Sequence, residues 1–377
     1  MQVRMRNRDL QQRGTLQAMS GKMVLRNNSP SSWSINVNAN EGNWDRFEEG
    51  WGASLTDSGI FYISGQVLEI EDEETEDGVR TLALTGTSDL SILANSLVIP
   101  NPSNPLAQVN QWTASGKAET VLRKLVNEQV GPGAPDDYRV PGLILSEDGE
   151  RGLEISVSER WSNLQEVLQS QAQTAGLLYD IRQVDENLVF SISEPNDYTR
   201  AVRLTRINGG VKSYKLTRTA PTATEVIVGG TGSGATRKMW REPEDGPAET
   251  PWGVRITKFV DRQSTSKDTE LKQAAQSELE SGAAESSVVV SAGDTKSAKF
   301  GRDFWLGDKI TIDLGRGEGS LISDTVQIVE VEWSEKGIET KIQVGPEPDE
   351  SKLSQSSSKL VELVKKLSKQ VRQQGTR

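Results

Sequence analysis

The chain contains neither cysteine nor histidine. These absences exclude disulfides, thiolate nucleophiles, zinc sites built from Cys and His, and any catalytic triad with an imidazole base. They also remove the side chain that most often transfers protons near neutral pH. The sequence therefore argues against an enzyme and predicts no catalytic residue, no metal and no cofactor, although carboxylates alone can support some hydrolytic reactions.

Long apolar runs are absent too. No stretch approaches the ~20 apolar residues that a membrane-spanning helix needs. The N-terminal segment, MQVRMRNRDLQQRGTL, carries arginines without an apolar core, so we expect no secretory signal and synthesis inside a cell. A formal net charge of −11 gives the chain as a whole no attraction for nucleic acid. Its 377 residues predict two to four domains.

The sequence of one predicted β-hairpin occurs twice in the chain, at an offset of 259 positions. Residues 63–86 read ISGQVLEIEDEETEDGVRTLALTG, and residues 322–345 read ISDTVQIVEVEWSEKGIETKIQVG. Without a gap, nine of these 24 positions are identical, among them Val67/Val326, Glu71/Glu330 and Thr81/Thr340. Because self-similarity at a fixed distance indicates a repeated supersecondary unit, the sequence predicts two similar β-domains in one chain.

The order of local patterns predicts a mainly β protein with an α+β insertion. Strands are expected at 22–27, 32–38, 60–71 and 80–86, where apolar and polar residues alternate. Two helices are expected at 117–130 and 162–175, the second ending at Gly176, and a third at about 266–281. We therefore expect a first β-domain at 1–108, completed by strands after 200. The insertion would cover 109–199, the second β-domain 200–346, and a linker with a C-terminal helix 347–377.

The C-terminal segment has a heptad pattern. Its apolar residues alternate in steps of four and three, as the seam of a coiled coil requires, with Ser357 at one seam position. The predicted interface residues are Leu353, Leu360, Val364, Leu367 and Val371. Self-association is favoured over an amphipathic helix that packs on its own domain, and the mixture of Val and Leu favours a dimer by packing rules alone.

Three other features suggest binding chemistry. The tip of the first hairpin is acidic, which favours a solvated turn; a calcium loop is the weaker alternative, because the run lacks the ligand spacing of known calcium loops. The acidic residues are Glu71, Asp72, Glu73, Glu74, Glu76 and Asp77. The glycine-rich stretch 228–237 has dinucleotide-fingerprint spacing but no helical pattern after it, so we expect a loop between strands. Trp44 and Trp51 flank a loop and could stack on sugars, although packing is the commoner role of tryptophan.

Several segments in this order resemble one known family. They are RNRDLQQRGTL, SSWSINV, LTGTSDLSILANSLVIPNP, GPGAPDDYRVPGL, LLYDIRQVDENLVFSISEP, ATEVIVGGTGSGATR and FGRDFWLGDKITI. Together they resemble the tail hub, or minor tail, proteins of siphoviruses, found mainly in phages of actinobacteria and related in fold to the baseplate hub of contractile-tailed phages. The resemblance covers roughly residues 8–346, and its motifs carry no catalytic signature.

The resemblance implies a structural virion protein, a homotrimer at the distal end of the tail tube. Each subunit would contribute two tandem tube-type β-barrels, so that three chains adapt a sixfold tube to a threefold tip. The insertion would decorate the ring, and the C-terminal helices would meet near the threefold axis. We further expect acidic residues to face the lumen and repel DNA; the acidic run of the first hairpin is a candidate for the lumen or for a loop. Implied partners are distal tail and tail-tube proteins, tail-tip, spike or receptor-binding proteins, and phage DNA that passes without specific binding. The alternatives are a carboxylate-only cell-wall hydrolase and a receptor- or glycan-binding tip protein.

Overall fold

The computed structural model describes residues 1–39, 48–107, 109–247, 250–263, 265–293, 298–317 and 320–346. The fold is mainly β, with 45% strand and 14% helix, which confirms the predicted class. Contacts divide the chain into two compact units: the first holds residues 1–215 and 289–344, and the second includes 216–288. None of the described helices is long and apolar enough to cross a membrane.

The described part of the first hundred residues forms seven strands and one short helix. In order, they are β1 (Gln2–Arg6), β2 (Gln12–Gln17), β3 (Ser20–Arg26), β4 (Ser32–Asn38), β5 (Gly52–Asp57), β6 (Ile60–Glu74), β7 (Arg80–Thr87) and the one-turn helix α1 (Ser91–Ala94). Burial alternates along them. In β4, Trp33, Ile35 and Val37 are buried, and the serine and asparagine side chains before and between them are exposed. This period of two is typical of a sheet with one buried face.

The middle of the first unit is a compact α+β segment. Its elements are β8 (Trp112–Lys117), α2 (Ala118–Gln129), β9 (Leu143–Leu145), β10 (Glu154–Glu159), α3 (Leu164–Ala175), β11 (Leu178–Val184) and β12 (Asn187–Ser193). Both helices lie where the sequence predicts them. The Asn163 side chain caps α3 by accepting hydrogen bonds from two backbone N–H groups, and Gly176 ends it with φ of 67°. The apolar faces of both helices enter one core with β8, β10, β11 and β12.

The rest of the described chain adds nine strands and one helix. They are β13 (Arg203–Thr205), β14 (Ser213–Thr219), β15 (Glu225–Gly229), β16 (Met239–Glu242), β17 (Thr257–Asp261), α4 (Asp268–Ser281), β18 (Glu285–Ala292), β19 (Lys309–Asp313), β20 (Leu321–Ser334) and β21 (Gly337–Val344). α4 occupies the segment in which the third helix is predicted. Strands β14 and β18 cross the boundaries between the two units, after residue 215 and before residue 289.

The second unit is a small sheet with a helix on one face. Its strands run in the order β16-β15-β17, and Val226, Val228, Leu271 and Ala275 form the core between the sheet and α4. The glycine-rich stretch 228–237 leads from β15 through a short 3-10 helix to β16, and Arg237 closes it by donating hydrogen bonds to backbone carbonyl groups. A phosphate loop needs a helix N-terminus directly after its glycines. A strand follows here, so the geometry argues against nucleotide binding.

One long sheet dominates the fold, and it contains the same strand arrangement twice. The order is β14-β18-β21-β20-β3-β4-β7-β6-β5-β1-β2, with β19 also paired to β20 and β13 to β19. The run β3-β4-β7-β6-β5-β1 therefore corresponds to the run β14-β18-β21-β20-β19-β13. One difference is direction: β1 is antiparallel to β5, whereas β13 is parallel to β19. The two runs meet where β20 pairs with β3.

Both long strands change partner at the same place. β6 pairs with β5 up to residue 66 and with β7 from Val67, and its register with β7 shifts between Val67 and Glu69. β20 pairs with β19 up to residue 325 and with β21 from Val326, and its register shifts between Val326 and Ile328. The two bulges therefore begin at equivalent positions of the sequence repeat, in which Val67 is matched with Val326.

The returning strands do not match as the ungapped alignment predicts. Thr81 lies opposite Glu73, whereas Thr340 lies opposite Val331, the counterpart of Asp72. The turn of the second hairpin is thus one residue shorter, and β21 corresponds to β7 with an offset of 258 instead of 259. A slip of one residue moves a side chain to the other face of a sheet. The identities predicted in the returning strands, Thr81/Thr340 among them, are therefore wrong as structural equivalences, while those in the outgoing strands hold.

A buried ion pair ties the β-rich part to the α+β segment. Arg6 and Asp89 are 6% and 4% exposed, and an Arg6 guanidinium nitrogen lies 2.9 Å from an Asp89 carboxylate oxygen. The Ser64 hydroxyl donates to the same carboxylate over 2.6 Å, and the backbone N–H of Gln183, in β11, donates to that hydroxyl over 3.0 Å. The Gln183 side chain in turn contacts Arg6 and the Leu10 carbonyl oxygen. Four separate stretches of chain meet in the hydrogen-bond network around the Asp89 carboxylate.

We expect Asp89→Ala to destabilise the protein by about 3–5 kcal/mol, because it leaves the Arg6 charge buried without its partner. The measurement is urea unfolding followed by circular dichroism. The control is Asp72→Ala, which removes an exposed partner of Arg80 and should change stability much less than Asp89→Ala, because solvent screens exposed ion pairs. Equal losses in the two variants would contradict the assignment of Asp89 as a buried structural centre.

Candidate functional site: the polar face of the long sheet

The side chains of the long sheet separate onto two faces. One row crosses six neighbouring strands in register and is polar throughout; it consists of Glu339, Glu332, Lys22, Ser34, Thr85 and Glu69. The residues on either side of this row along each strand point to the other face. On that face Trp33, Leu84 and Trp333 are each no more than 4% exposed. The sheet therefore has one buried face and one broad face of charged and hydroxyl groups.

On the six strands that this row crosses, the polar face carries more negative than positive charge. Its carboxylates come from β6, β20 and β21, and they are Glu69, Glu71, Glu73, Glu330, Glu332 and Glu339. Its basic side chains are Lys22, Arg26 and Lys341. All of these side chains are at least partly exposed. With six acidic and three basic groups, the face repels polyanions and offers no cluster of cations that could hold phosphates.

Glu330 is the centre of charge pairing on this face. Its carboxylate accepts from the Lys22 ammonium group of β3, 2.8 Å away, and lies 3.3 Å from the Lys341 ammonium group of β21. The hydrogen bond from Lys22, together with that from Lys341, lowers the pKa of Glu330 below its ordinary value of 4.5. The contact with Glu330 also raises the pKa of Lys341. This triad spans the junction at which the two strand runs meet.

The corresponding edge of the first run is uncovered. From Glu69 onwards, the side of β6 that faces away from β7 has no strand partner among the described residues. Burial reflects the difference: Ile70 is 39% exposed, whereas its counterpart Val329, beneath β3, is 0% exposed. Leu68, in the bulge, is 67% exposed. β6 therefore presents an open strand edge with apolar side chains below it, an arrangement that favours pairing with another strand.

The structure distributes the predicted acidic cluster among three places. Glu71 and Glu73 lie on the polar face. Asp72 and Glu74 point to the opposite side, where Arg80 donates to the Asp72 carboxylate over 2.7 Å and lowers its pKa. Glu76 and Asp77 lie in the turn. The remaining charged groups of the polar face, such as Glu330, were missed because they come from distant strands. The identities Glu71/Glu330 and Glu73/Glu332 in the repeat were the signal for two of them.

The other predicted site residues have separate outcomes. Trp51 is 8% exposed, so its ring is not a free platform for a sugar. Trp44 lies outside the described residues. The five heptad residues from Leu353 to Val371 also lie outside them, and the coiled coil stays a prediction. Within the described ranges, no group of three or more acidic side chains is placed to hold a metal ion.

A cleft of about 270 Å³ in the first unit is the other concave feature of interest. Arg26, Asp180, Arg182 and Trp305 line it. The Trp305 ring is stacked on Phe300 with centroids 4.7 Å apart, and the Arg182 guanidinium lies 5.3 Å from the Trp305 centroid. Arg182 also pairs with Asp180. Because Arg182 is already engaged with both Asp180 and Trp305, the cleft shows packing rather than an open binding site.

Solved structures with the same fold include prophage tail proteins. The 43 kDa tail protein of prophage MuSo2 from Shewanella oneidensis aligns with a TM-score of 0.59 at 12% identity, over 91% of this chain and 98% of that one. The tail protein from Neisseria meningitidis MC58 aligns with a TM-score of 0.54 at 13% identity, over 92% and 96%. Prophage tail protein gp18 from Listeria monocytogenes EGD-e aligns with a TM-score of 0.52 at 10% identity, over 97% and 100%. No curated protein matches the sequence.

The chain thus shares its fold with prophage tail proteins. The family model of the siphovirus ReqiPepy6 Gp37-like proteins matches residues 2–346, and the chain belongs to that family. This confirms the predicted resemblance to siphovirus tail proteins over nearly the same range, and it places the protein in the tail of the virion.

We expect Glu330→Gln to change how stability depends on pH. A carboxylate with a lowered pKa stabilises the fold fully above its ordinary value of 4.5, and this contribution is lost as the pH falls through the lowered value. The variant should be less stable at pH 7, by about 0.2–1 kcal/mol since Lys22 is partly exposed, and should lose less stability on acidification. Urea unfolding at pH 7 and pH 3 measures both effects. Glu335→Gln, in the exposed turn, is the control; a Glu330→Gln curve parallel to wild type would refute the triad.

Proposed function

We propose that the protein is the hub at the distal end of the phage tail, a homotrimer that forms part of the DNA conduit. Its task is assembly and symmetry matching, with no chemistry on a substrate. The repeated strand run supports this proposal. If each run is one barrel-type unit, three chains bring six units to a ring, which suits a sixfold tube on one side and a threefold tip on the other. The domain boundaries that the sequence predicts at residues 108, 199 and 346 are part of this proposal.

The observation that carries the proposal is the contrast between the covered edge of β20 and the open edge of β6. Within the chain, β20 is completed by β3, the first strand of the other run. Among the described residues β6, the counterpart of β20, lacks such a neighbour, and β14, the counterpart of β3, is the terminal strand of the sheet. If β14 of a second chain pairs with β6, the junction inside the chain is repeated between chains. Successive units would then be related by one sixth of a turn around the ring.

The polar face would line the conduit in this ring. On the six strands from β21 to β6, six glutamates against three basic side chains keep the surface negative, which repels the phosphates of passing DNA and avoids tight contacts. The buried face of the sheet would point outward beneath the outer strands. The segment 109–199 would decorate the ring, and the C-terminal heptads would join the three chains near the axis. The ring would contact distal tail and tail-tube proteins on one side and tip, spike or receptor-binding proteins on the other.

We expect the purified chain to form a trimer whose averaged electron images show a ring with six similar lobes. Ile70→Glu should raise the concentration needed for assembly about tenfold or more, since it puts a charge into the apolar part of the junction. Light scattering over a concentration series measures this. Ile144→Glu, which alters a similarly exposed isoleucine in the α+β segment, should have no effect. A chain that stays monomeric at every concentration would refute the hub.

We expect neutral substitutions on the polar face to slow DNA release from virions. The triple variant Glu69→Gln, Glu332→Gln and Glu339→Gln removes three charges of one row without touching the Glu330 triad. The rate of DNA ejection, triggered from purified particles and followed by fluorescence, should fall. The control is Glu147→Gln, Glu150→Gln and Glu186→Gln, three exposed positions of the α+β segment. Equal ejection rates in the two triple variants would count against an electrostatic role of the lumen.

A further inference from the structure

The charged groups at the junction inside the chain have counterparts at the two open edges. Glu330 and Glu332 of β20 correspond to Glu71 and Glu73 of β6 through the repeat. Lys22, which pairs with Glu330, lies in β3. A counterpart of Lys22 on β14 would complete the set.

Sequence and hydrogen bonding both align β14 with β3 at an offset of 193. Residues 20–23 read Ser-Gly-Lys-Met and residues 213–216 read Ser-Tyr-Lys-Leu, so Lys215 takes the place of Lys22. The strand entry matches as well. The Met19 N–H donates to the Asn36 carbonyl oxygen of β4 over 2.9 Å, and the Lys212 N–H donates to the Ser291 carbonyl oxygen of β18 over the same distance. Met19 and Lys212 are related by the same offset as Lys22 and Lys215.

Lys215 and the glutamates of β6 lack charged partners within the described part of the chain. The Lys215 side chain is exposed, as are those of Glu71 and Glu73. Among the described residues none of the three has an ion pair or a side-chain hydrogen bond. The counterparts Lys22 and Glu330 are 2.8 Å apart. Lysine and glutamate are thus paired where β20 meets β3 inside the chain, and the equivalent lysine and glutamates are unpaired at the open edges of β14 and β6.

We infer that Lys215 of one chain lies opposite Glu73 of the next and forms an ion pair with Glu71, and that these contacts set the register of the junction between subunits. The inference rests on the proposed ring. In the junction of β20 with β3, Lys22 lies opposite Glu332 and bonds diagonally to Glu330. The offset of 193 relates Lys22 to Lys215, and the offset of 259 relates Glu332 and Glu330 to Glu73 and Glu71. Lys215 would therefore lie opposite Glu73, with Glu71 at the diagonal position. The occupant of the open β6 edge is therefore a second copy of this chain, entering with β14.

A disulfide test reads the register directly, since the chain has no cysteine of its own. In the variant Glu73→Cys with Lys215→Cys, directly opposite residues have Cβ atoms about 4.5–5.5 Å apart, close enough to oxidise with a small adjustment. Non-reducing gels should show covalent dimers and trimers. The matched control, Glu69→Cys with Lys215→Cys, places the thiols four residues along the strand, about 13 Å away, and should stay monomeric on the gel. Multimers in the control, or none in the test variant while the ring forms, would overturn the register.

A charge-exchange series tests the ion pairs. Lys215→Glu puts three like charges together and should raise the assembly concentration about threefold or more per junction. Adding Glu71→Lys and Glu73→Lys to it should restore assembly towards wild type, and the differences should shrink at about 1 M salt. Lys336→Glu, the same charge change in an exposed turn, is the control. If Lys215→Glu behaves like Lys336→Glu, or if the exchange restores nothing, the ion-pair inference fails while the ring stands. A wild-type chain that never trimerises removes the ring itself.

Discussion

The bulges after Val67 and Val326 let one strand serve two sets of neighbours, and the rest of the sheet depends on that change of partner. A bulge adds one residue on one side of a ladder and increases the local twist. Before the bulge each strand pairs with an outer strand, β5 or β19; after it, the strand runs into the hairpin with β7 or β21. The edge released by this bend is where β3 attaches to β20. Without it the two runs could not join into one sheet.

The local part of the fold was predictable because it follows from local physics. Alternation marked the strands of the first hundred residues, and Asn163 and Gly176 are residue types that cap helices. Matching the repeat along the outgoing strand was also reliable, since no turn interrupts it. The returning strand was misaligned because the turn of the second hairpin is one residue shorter. An ungapped comparison cannot detect this one-residue difference, which places the side chains of β21 on the opposite faces of the sheet from those that the alignment predicts.

The candidate site was only partly accessible from the sequence. The acidic run at 71–77 is contiguous in the chain, yet a strand sends adjacent residues to opposite faces, so Glu71 and Asp72 do not act together. The real polar face collects glutamates from β6, β20 and β21, which come from opposite ends of the sequence. Such a face depends on pairings between distant strands, above all β20 with β3, and no local pattern encodes them. The match of Lys22 with Lys215 became meaningful only once both strands were placed in register.

The two open edges carry opposite charges, which bears on the kind of assembly they allow. An open strand edge invites unwanted pairing, and charged side chains are a common protection. Two β6 edges would set Glu69, Glu71 and Glu73 against the same residues of another chain, so a twofold β6–β6 contact is opposed by like charge. β14 presents Lys215 instead. The favoured contact is therefore between unlike edges, and such head-to-tail contacts close into rings when the rotation between neighbours allows it. In the proposed hub, the junction of β20 with β3 would be repeated at each open edge, which would give a ring rather than a twofold pair.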